Sequence, residues 1–137
     1  MQLTKFTDYS LRCLIFLSQQ QDRLVSIKHI SEYYNISYEH LTKVVYKLTS
    51  LGYVESKKGK NGGVKIIDKT IGVSLGDLIV KLEPNMNIVE CFNNQTNTCR
   101  ITNTCRLKHY LHDANKAFIS SLNKHTLKDA AQNNILY

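Results

Sequence analysis

The sequence has no tryptophan, one proline and only six glycines. So few chain breakers exclude a Pro- or Gly-rich low-complexity chain, and Pro84 and the glycines instead mark the ends of elements. Long apolar runs are also missing. The most hydrophobic stretch, Leu11 to Leu17, is far shorter than the ~20 residues that span a bilayer. No secretory leader precedes it, which points to the cytoplasm. Phosphate-binding loops, nucleophile–base motifs and paired catalytic carboxylates do not occur, so the chain does not read as an enzyme. Acidic residues are scarce: eleven Asp and Glu stand against eighteen Lys and Arg, a net charge of +7. That excess favours a polyanionic partner, and double-stranded DNA comes before a membrane because no basic amphipathic or lipidation segment is present.

Cysteine is sparse but concentrated. Three of the four cysteines, Cys91, Cys99 and Cys105, lie in C-F-N-N-Q-T-N-T-C-R-I-T-N-T-C. The residues between them are small and polar, so no buried apolar area explains order in this segment. A metal centre would. Thiolates suit iron–sulfur clusters and zinc, with zinc second because its paired C-x-x-C spacing is absent. A disulfide remains open as well, although three is an odd number for it and cytosolic thiols stay reduced. Cys13, inside an apolar run, reads as a core residue.

The chain is otherwise mainly α with a small β-hairpin. Residues 4–20 form a helix with Thr4 or Thr7 as its cap and Asp8 in the first turns, where an acid suits the helix dipole. Ser26 opens a second helix, and Asn35-Ile36-Ser37 is a tight turn. A third helix runs from Tyr38 to about Ser50, with Leu41, Val44, Val45, Leu48 and Leu51 on one face. Two short helices joined this way, the second polar and basic on its outer face, are a helix-turn-helix. Residues 52–57 and 64–67 then form a hairpin whose tip carries Lys57, Lys58 and Lys60 with Asn61 and three glycines, which makes it a wing. The DNA contacts expected are Ser37, Tyr38, Glu39, His40 and Lys43 at the start of the recognition helix, with Lys57, Lys58, Lys60 and Asn61 in the wing. Ser74 starts a helix that ends at Glu83-Pro84. A one-sided helix from about Thr104 to Asn123 is a dimerisation element, and Thr126 with Asp129 caps a last short helix. The division expected is 1–83 winged helix-turn-helix domain, 84–106 cysteine loop, and 107–137 dimerisation helix and tail.

Together these stretches resemble the winged-helix iron–sulfur repressors related to IscR, and among them the nitric-oxide-sensing members. The matching residues are Met1 to Thr4, Phe6 to Tyr9 with Leu11-Arg12, Ser37 to Leu41, Gly52-Tyr53-Val54, Gly59 to Gly63, Leu82-Glu83-Pro84, and the three cysteines followed by Arg106-Leu107-Lys108. His125-Thr126-Leu127 has its counterpart too. The resemblance implies a homodimeric repressor that holds a cluster, 4Fe–4S ahead of 2Fe–2S, on Cys91, Cys99 and Cys105 of each subunit. It further implies operator release when nitric oxide is the signal. IscR-like members place a histidine ligand where this chain has Lys108, with His109 one step off and His112 a turn beyond. In the nitric-oxide-sensing members the fourth ligand is a carboxylate from the partner's first helix, which here is Asp8. A further departure is Lys58, where relatives often carry arginine with its bidentate fork. Two rival readings stand beside this one: a cluster-free regulator whose cysteines form a redox-sensing thiol switch, and an iron–sulfur electron-transfer or assembly protein.

Overall fold

Each α-helix in the computed structural model, which describes residues 1–132, begins at a side-chain cap. The elements are α1 (Lys5–Gln19), α2 (Ile27–Tyr34), α3 (Tyr38–Ser50), β1 (Val54–Lys57), β2 (Gly63–Ile66), α4 (Leu75–Leu82), α5 (Arg106–Leu122) and α6 (Leu127–Ala130). Short 3₁₀ turns occupy Asp68–Gly72 and Glu90–Phe92. Thr4, Ser26, Ser37, Ser74 and Thr126 each accept a hydrogen bond from the backbone N–H three residues on. These donors have no partner within the helix, so each cap is worth about 1 kcal/mol. Only α6 closes the full reciprocal capping box. At Ser74 the hydroxyl turns instead to donate to Asn123 Oδ1 at the end of α5, 2.7 Å away.

The core fills the space between α1, α3 and the hairpin. Leu14, Leu17, Ile30, Leu41, Val44, Leu48, Val54, Val64 and Leu78 are all sealed from solvent. On α3 the buried set is Leu41, Val44, Val45 and Leu48, the stripe expected from the apolar spacing. Each such leucine contributes on the order of 1.5–3 kcal/mol. Cys13 lies at 0% exposure within this core, and burial pushes its thiol pKa up to about 12. It is a packing residue, as expected.

The α2–α3 turn uses Asn35 in the left-handed conformation, with φ of 53°. In the hairpin β1 and β2 pair antiparallel, from Val54 opposite Ile66 to Lys57 opposite Gly63. Val25, just before α2, bridges to Val64 and adds a third backbone to this small sheet. Glycine is required at position 63, where φ is 151° and a Cβ would stand 2.7 Å from the Val25 carbonyl oxygen.

The C-terminal elements divide between two surroundings. α5 packs on α4, where Gly76 admits the backbone of Ile119. It contributes no buried residue, and Leu107 and Tyr110 stand 60% and 64% exposed. α6 by contrast packs on α1, and Leu127 is fully buried in the winged-helix core. Its N–H donates to Val73 O, and Leu75 N–H donates to His125 O, so the start of α4 and the start of α6 are stitched together. The end of the 107–137 segment, past residue 132, lies outside the described residues. Among the described residues no helix is long and apolar enough to cross a membrane.

Candidate functional site

Two surfaces carry the residues singled out from the sequence. The first is an open groove of about 770 Å³ between α3, the hairpin and the start of α2. Tyr38, Thr42, Tyr46 and Thr49 form its floor along α3, Lys57, Lys58 and Lys60 its far wall, and Ser26 and Lys28 its near wall. Tyr38 and Tyr46 are 56% and 79% exposed, an unusual state for aromatic rings. The groove thus presents hydroxyls, rings and ammonium groups together, the mixture that contacts a phosphate backbone and base edges.

The expected contacts distribute unevenly over this surface. Tyr38, Lys57, Lys58 and Lys60 line the groove. Ser37, Glu39, Lys43 and Asn61 are exposed beside it. Ser37 is also the cap of α3, its Oγ accepting from His40 N–H at 3.2 Å. His40 is half-buried, and its ring meets Tyr9 of α1 edge to face, with centroids 4.9 Å apart. It therefore joins the recognition helix to α1. Thr42 and Tyr46 line the groove beyond the contacts expected from the sequence, although Tyr38, Thr42 and Tyr46 follow one another at four-residue spacing and so share one helical stripe. That spacing was the available signal. Ser26 and Lys28 had none, because only the tertiary fold brings them opposite the wing.

The second surface is the cysteine loop. All three of its thiols are free; Cys99 is exposed, Cys91 and Cys105 half-buried. Cys91 lies in the Glu90–Phe92 turn, whose Phe92 ring meets His112 of α5 at 6.0 Å. Cys105 is the N-cap of α5, with its Sγ accepting from Lys108 N–H at 3.4 Å. That bond fixes the sulfur at the N-terminal end of α5. Lys108 contributes only its backbone N–H to this bond.

Polar side chains, not apolar burial, order the loop between these thiols. Asn93 Oδ1 accepts from Gln95 N–H and Asn97 Oδ1 from Cys99 N–H, each at 3.0 Å. Thr102 Oγ1 donates to Cys99 O at 2.8 Å and accepts from Asn97 Nδ2 at 2.9 Å. Glu90 Oε1 accepts from both the hydroxyl and the N–H of Thr98, at 2.6 and 2.5 Å. These bonds, the hydroxyl's first, hold the Glu90 carboxyl below the usual carboxylate range. Order in this segment thus comes without apolar burial, as Asn and Thr side chains substitute for backbone turns.

The donor chemistry of the loop fits an iron–sulfur cluster, since it offers three unpaired soft ligands within one segment. The described residues hold no group of three His, Cys, Asp or Glu side chains arranged to grip a metal ion. Asp8, the expected ligand from a partner, is half-exposed on α1 and pairs with Arg12 at 2.7 Å. Its hydrogen bond raises the Arg12 pKa further. Arg12 also lies over the Tyr9 ring at 5.6 Å.

A helix-turn-helix followed by a basic two-stranded wing, with exposed rings and lysines around one groove, defines a winged-helix regulator of transcription. The chain belongs to the Rrf2 family, described as iron-dependent transcriptional regulators, whose model matches residues 3–133. It is 47% identical to the HTH-type transcriptional regulator NsrR of Halalkalibacterium halodurans, over 97% of this chain and 92% of that protein. It is 45% identical to NsrR of Bacillus subtilis over the same shares. In fold it is similar to T. potens IscR, with a TM-score of 0.75 at 20% identity over 100% of this chain and 93% of that one. The same TM-score relates it to CymR, the global cysteine regulator of B. subtilis, at 24% identity over 96% of each chain. The family consists of regulators, not enzymes, in keeping with the missing catalytic motifs.

Proposed function

We propose that this chain is an operator-binding repressor that acts as a homodimer, holds an iron–sulfur cluster on Cys91, Cys99 and Cys105, and lets go of DNA when nitric oxide is present. The observation that carries this reading is the gathering of three free thiols in one loop of a chain from an iron-dependent regulator family. When bound, the cluster supplies iron with which nitric oxide reacts. Asp8 completes the ligand set from the partner subunit, after parting from Arg12. The exposed Leu107 and Tyr110 of α5 give the homodimer an apolar seam.

On DNA, α3 enters the major groove with Ser37, Tyr38, Glu39, His40 and Lys43 at its leading end, while Lys57, Lys58, Lys60 and Asn61 follow the backbone. Thr42 and Tyr46 extend that contact along the groove floor. Coupling between the thiol loop and α3 has a contiguous path in this chain. Glu83, at the base of the loop, accepts from Thr4 N–H at 2.7 Å and so grips the start of α1. One turn on, Tyr9 packs on His40 at the start of α3. A shift of the loop thereby reaches the reading helix through α1.

The test is an operator-binding titration of anaerobically reconstituted protein with nitric oxide. Loss of binding as nitric oxide is added is the expected result, and unchanged affinity would remove the sensing claim. The exposure of Cys99 favours a second reading, a thiol switch without a cluster. Iron and acid-labile sulfide assays on protein purified without oxygen separate the two.

A further inference from the structure

We infer that Glu90 and Thr98 form a clasp that ties the chain just before Cys91 to the chain just before Cys99, making them positioning residues for metal capture by the thiol loop. The inference rests on the reading that these thiols bind a cluster. Glu90 immediately precedes Cys91, and Thr98 immediately precedes Cys99. One carboxylate oxygen, Glu90 Oε1, accepts from Thr98 N–H at 2.5 Å and from Thr98 Oγ1 at 2.6 Å. Charge-assisted bonds of this length are among the stronger ones available to an exposed loop. They close the segment between the two cysteines into a ring without covalent linkage, removing conformational freedom that metal binding would otherwise have to freeze.

The rest of the loop fixes Cys99 within that ring. Its N–H is held by Asn97 Oδ1 and its carbonyl by Thr102 Oγ1. Cys91 is held on the other side by the Phe92 ring, packed on His112 of the helix that Cys105 caps. The main chain at each thiol is therefore braced before any metal arrives. Glu90 acts in this scheme through Thr98 and not as a ligand, with its Oε1 accepting both Thr98 bonds.

Glu90→Ala removes the acceptor, Thr98→Val removes one donor at constant shape, and Thr98→Ser keeps it. The metal-free full-length chain would be titrated with Co²⁺, reading thiolate-to-cobalt absorption, with amide hydrogen exchange followed separately. Affinity for Co²⁺ should fall on the order of tenfold in Glu90→Ala and Thr98→Val and return in Thr98→Ser, consistent with loss of a hydrogen bond to a charged group. The Thr98 amide should exchange faster by a similar factor in Glu90→Ala, with the thermal midpoint unmoved because both residues are exposed. Wild-type protein that binds Co²⁺ while all three variants match it would overturn the clasp alone. A wild-type chain that takes up neither Co²⁺ through its thiols nor iron on anaerobic reconstitution would overturn the cluster reading, and the clasp's role with it.

Discussion

Arg12 grips Asp8, one turn earlier on α1, through two hydrogen bonds: Nε to Oδ1 at 3.0 Å and the terminal amine to Oδ2 at 2.7 Å. Both side chains are 44% exposed, so the pair adds little to stability. Its consequence is for availability. The carboxylate that the proposed dimer needs as a ligand is occupied by a guanidinium within its own helix. Arg12→Ala should change unfolding free energy by no more than about 0.5 kcal/mol in urea titrations. Iron release to a chelator should slow in the same variant and quicken in Asp8→Ala. Equal release from all three proteins would separate Asp8 from the ligand set.

The contrast among the four cysteines gives a second outcome. Cys13 is fully buried with its thiol pushed up to about 12, while the three loop thiols retain surface exposure. In the native metal-free protein a thiol-alkylating reagent should modify Cys91, Cys99 and Cys105 and spare Cys13. Peptide mass mapping reads this directly. Modification of Cys13 at the rate of Cys99 would mean that the core opens on the timescale of labelling.

The helices and the wing were legible in the sequence because local rules and global fold agree there. Thr4, Ser26, Ser37, Ser74 and Thr126 are residue types that cap, and the apolar stripe of α3 repeats at helical spacing. Cys105 is not legible as a cap, because a thiol is an uncommon one. The order of the cysteine loop was illegible for a different reason. Asn and Thr runs signal disorder by composition, and only coordinates reveal whether they bond to the backbone or to water. The ring contact of His40 with Tyr9 is likewise not disclosed by anything local in the sequence. The partition of the C-terminal segment was hidden too, because one buried leucine in a polar stretch carries no periodicity.

That leucine is the subject of a third outcome. Leu127 is sealed at 0% exposure and ties α6 to the winged-helix core. Leu127→Ala should cost about 2–5 kcal/mol, the range for a buried leucine leaving a cavity. Val80→Ala, at a position 49% exposed on α4, should cost well under half of that and serves as the control. Urea denaturation followed by far-UV circular dichroism measures both. A cost below about 1 kcal/mol for Leu127→Ala would show that α6 is not part of the cooperative unit.

The α6 capping box titrates. Asp129 Oδ2 accepts from Thr126 N–H at 2.7 Å and from its hydroxyl at 3.0 Å. The backbone bond, followed by the hydroxyl's, holds the Asp129 carboxyl below the usual carboxylate range. A lowered native pKa means the unfolded chain takes up the proton first as pH falls. The cap's contribution is therefore complete above the ordinary aspartate value of about 3.9 and is lost as pH drops through the lowered native one. The thermal midpoints of wild type and Asp129→Asn should stay a fixed interval apart from neutral pH down to about 5, and converge below about 4. A gap that widened in acid would reverse the sign and remove the cap as its cause.

The groove between α3 and the wing makes the last outcome quantitative. Lys57, Lys58 and Lys60 stand on one wall, facing Tyr38, Thr42 and Tyr46. A lysine that neutralises a phosphate releases condensed counterions, so each true contact adds about 0.9 to the slope of log affinity against log salt. Alanine at one such lysine should flatten the slope by that amount and weaken all sequences alike. Tyr46→Phe, which removes a hydroxyl but no charge, should weaken binding with the slope preserved. Thr42→Ala should act more on one operator sequence than on others if α3 lies in the major groove, because its position on the helix faces base edges. Slopes unaltered across all three lysine variants would place the wing away from DNA, and the exposed rings of α3 would then need another partner.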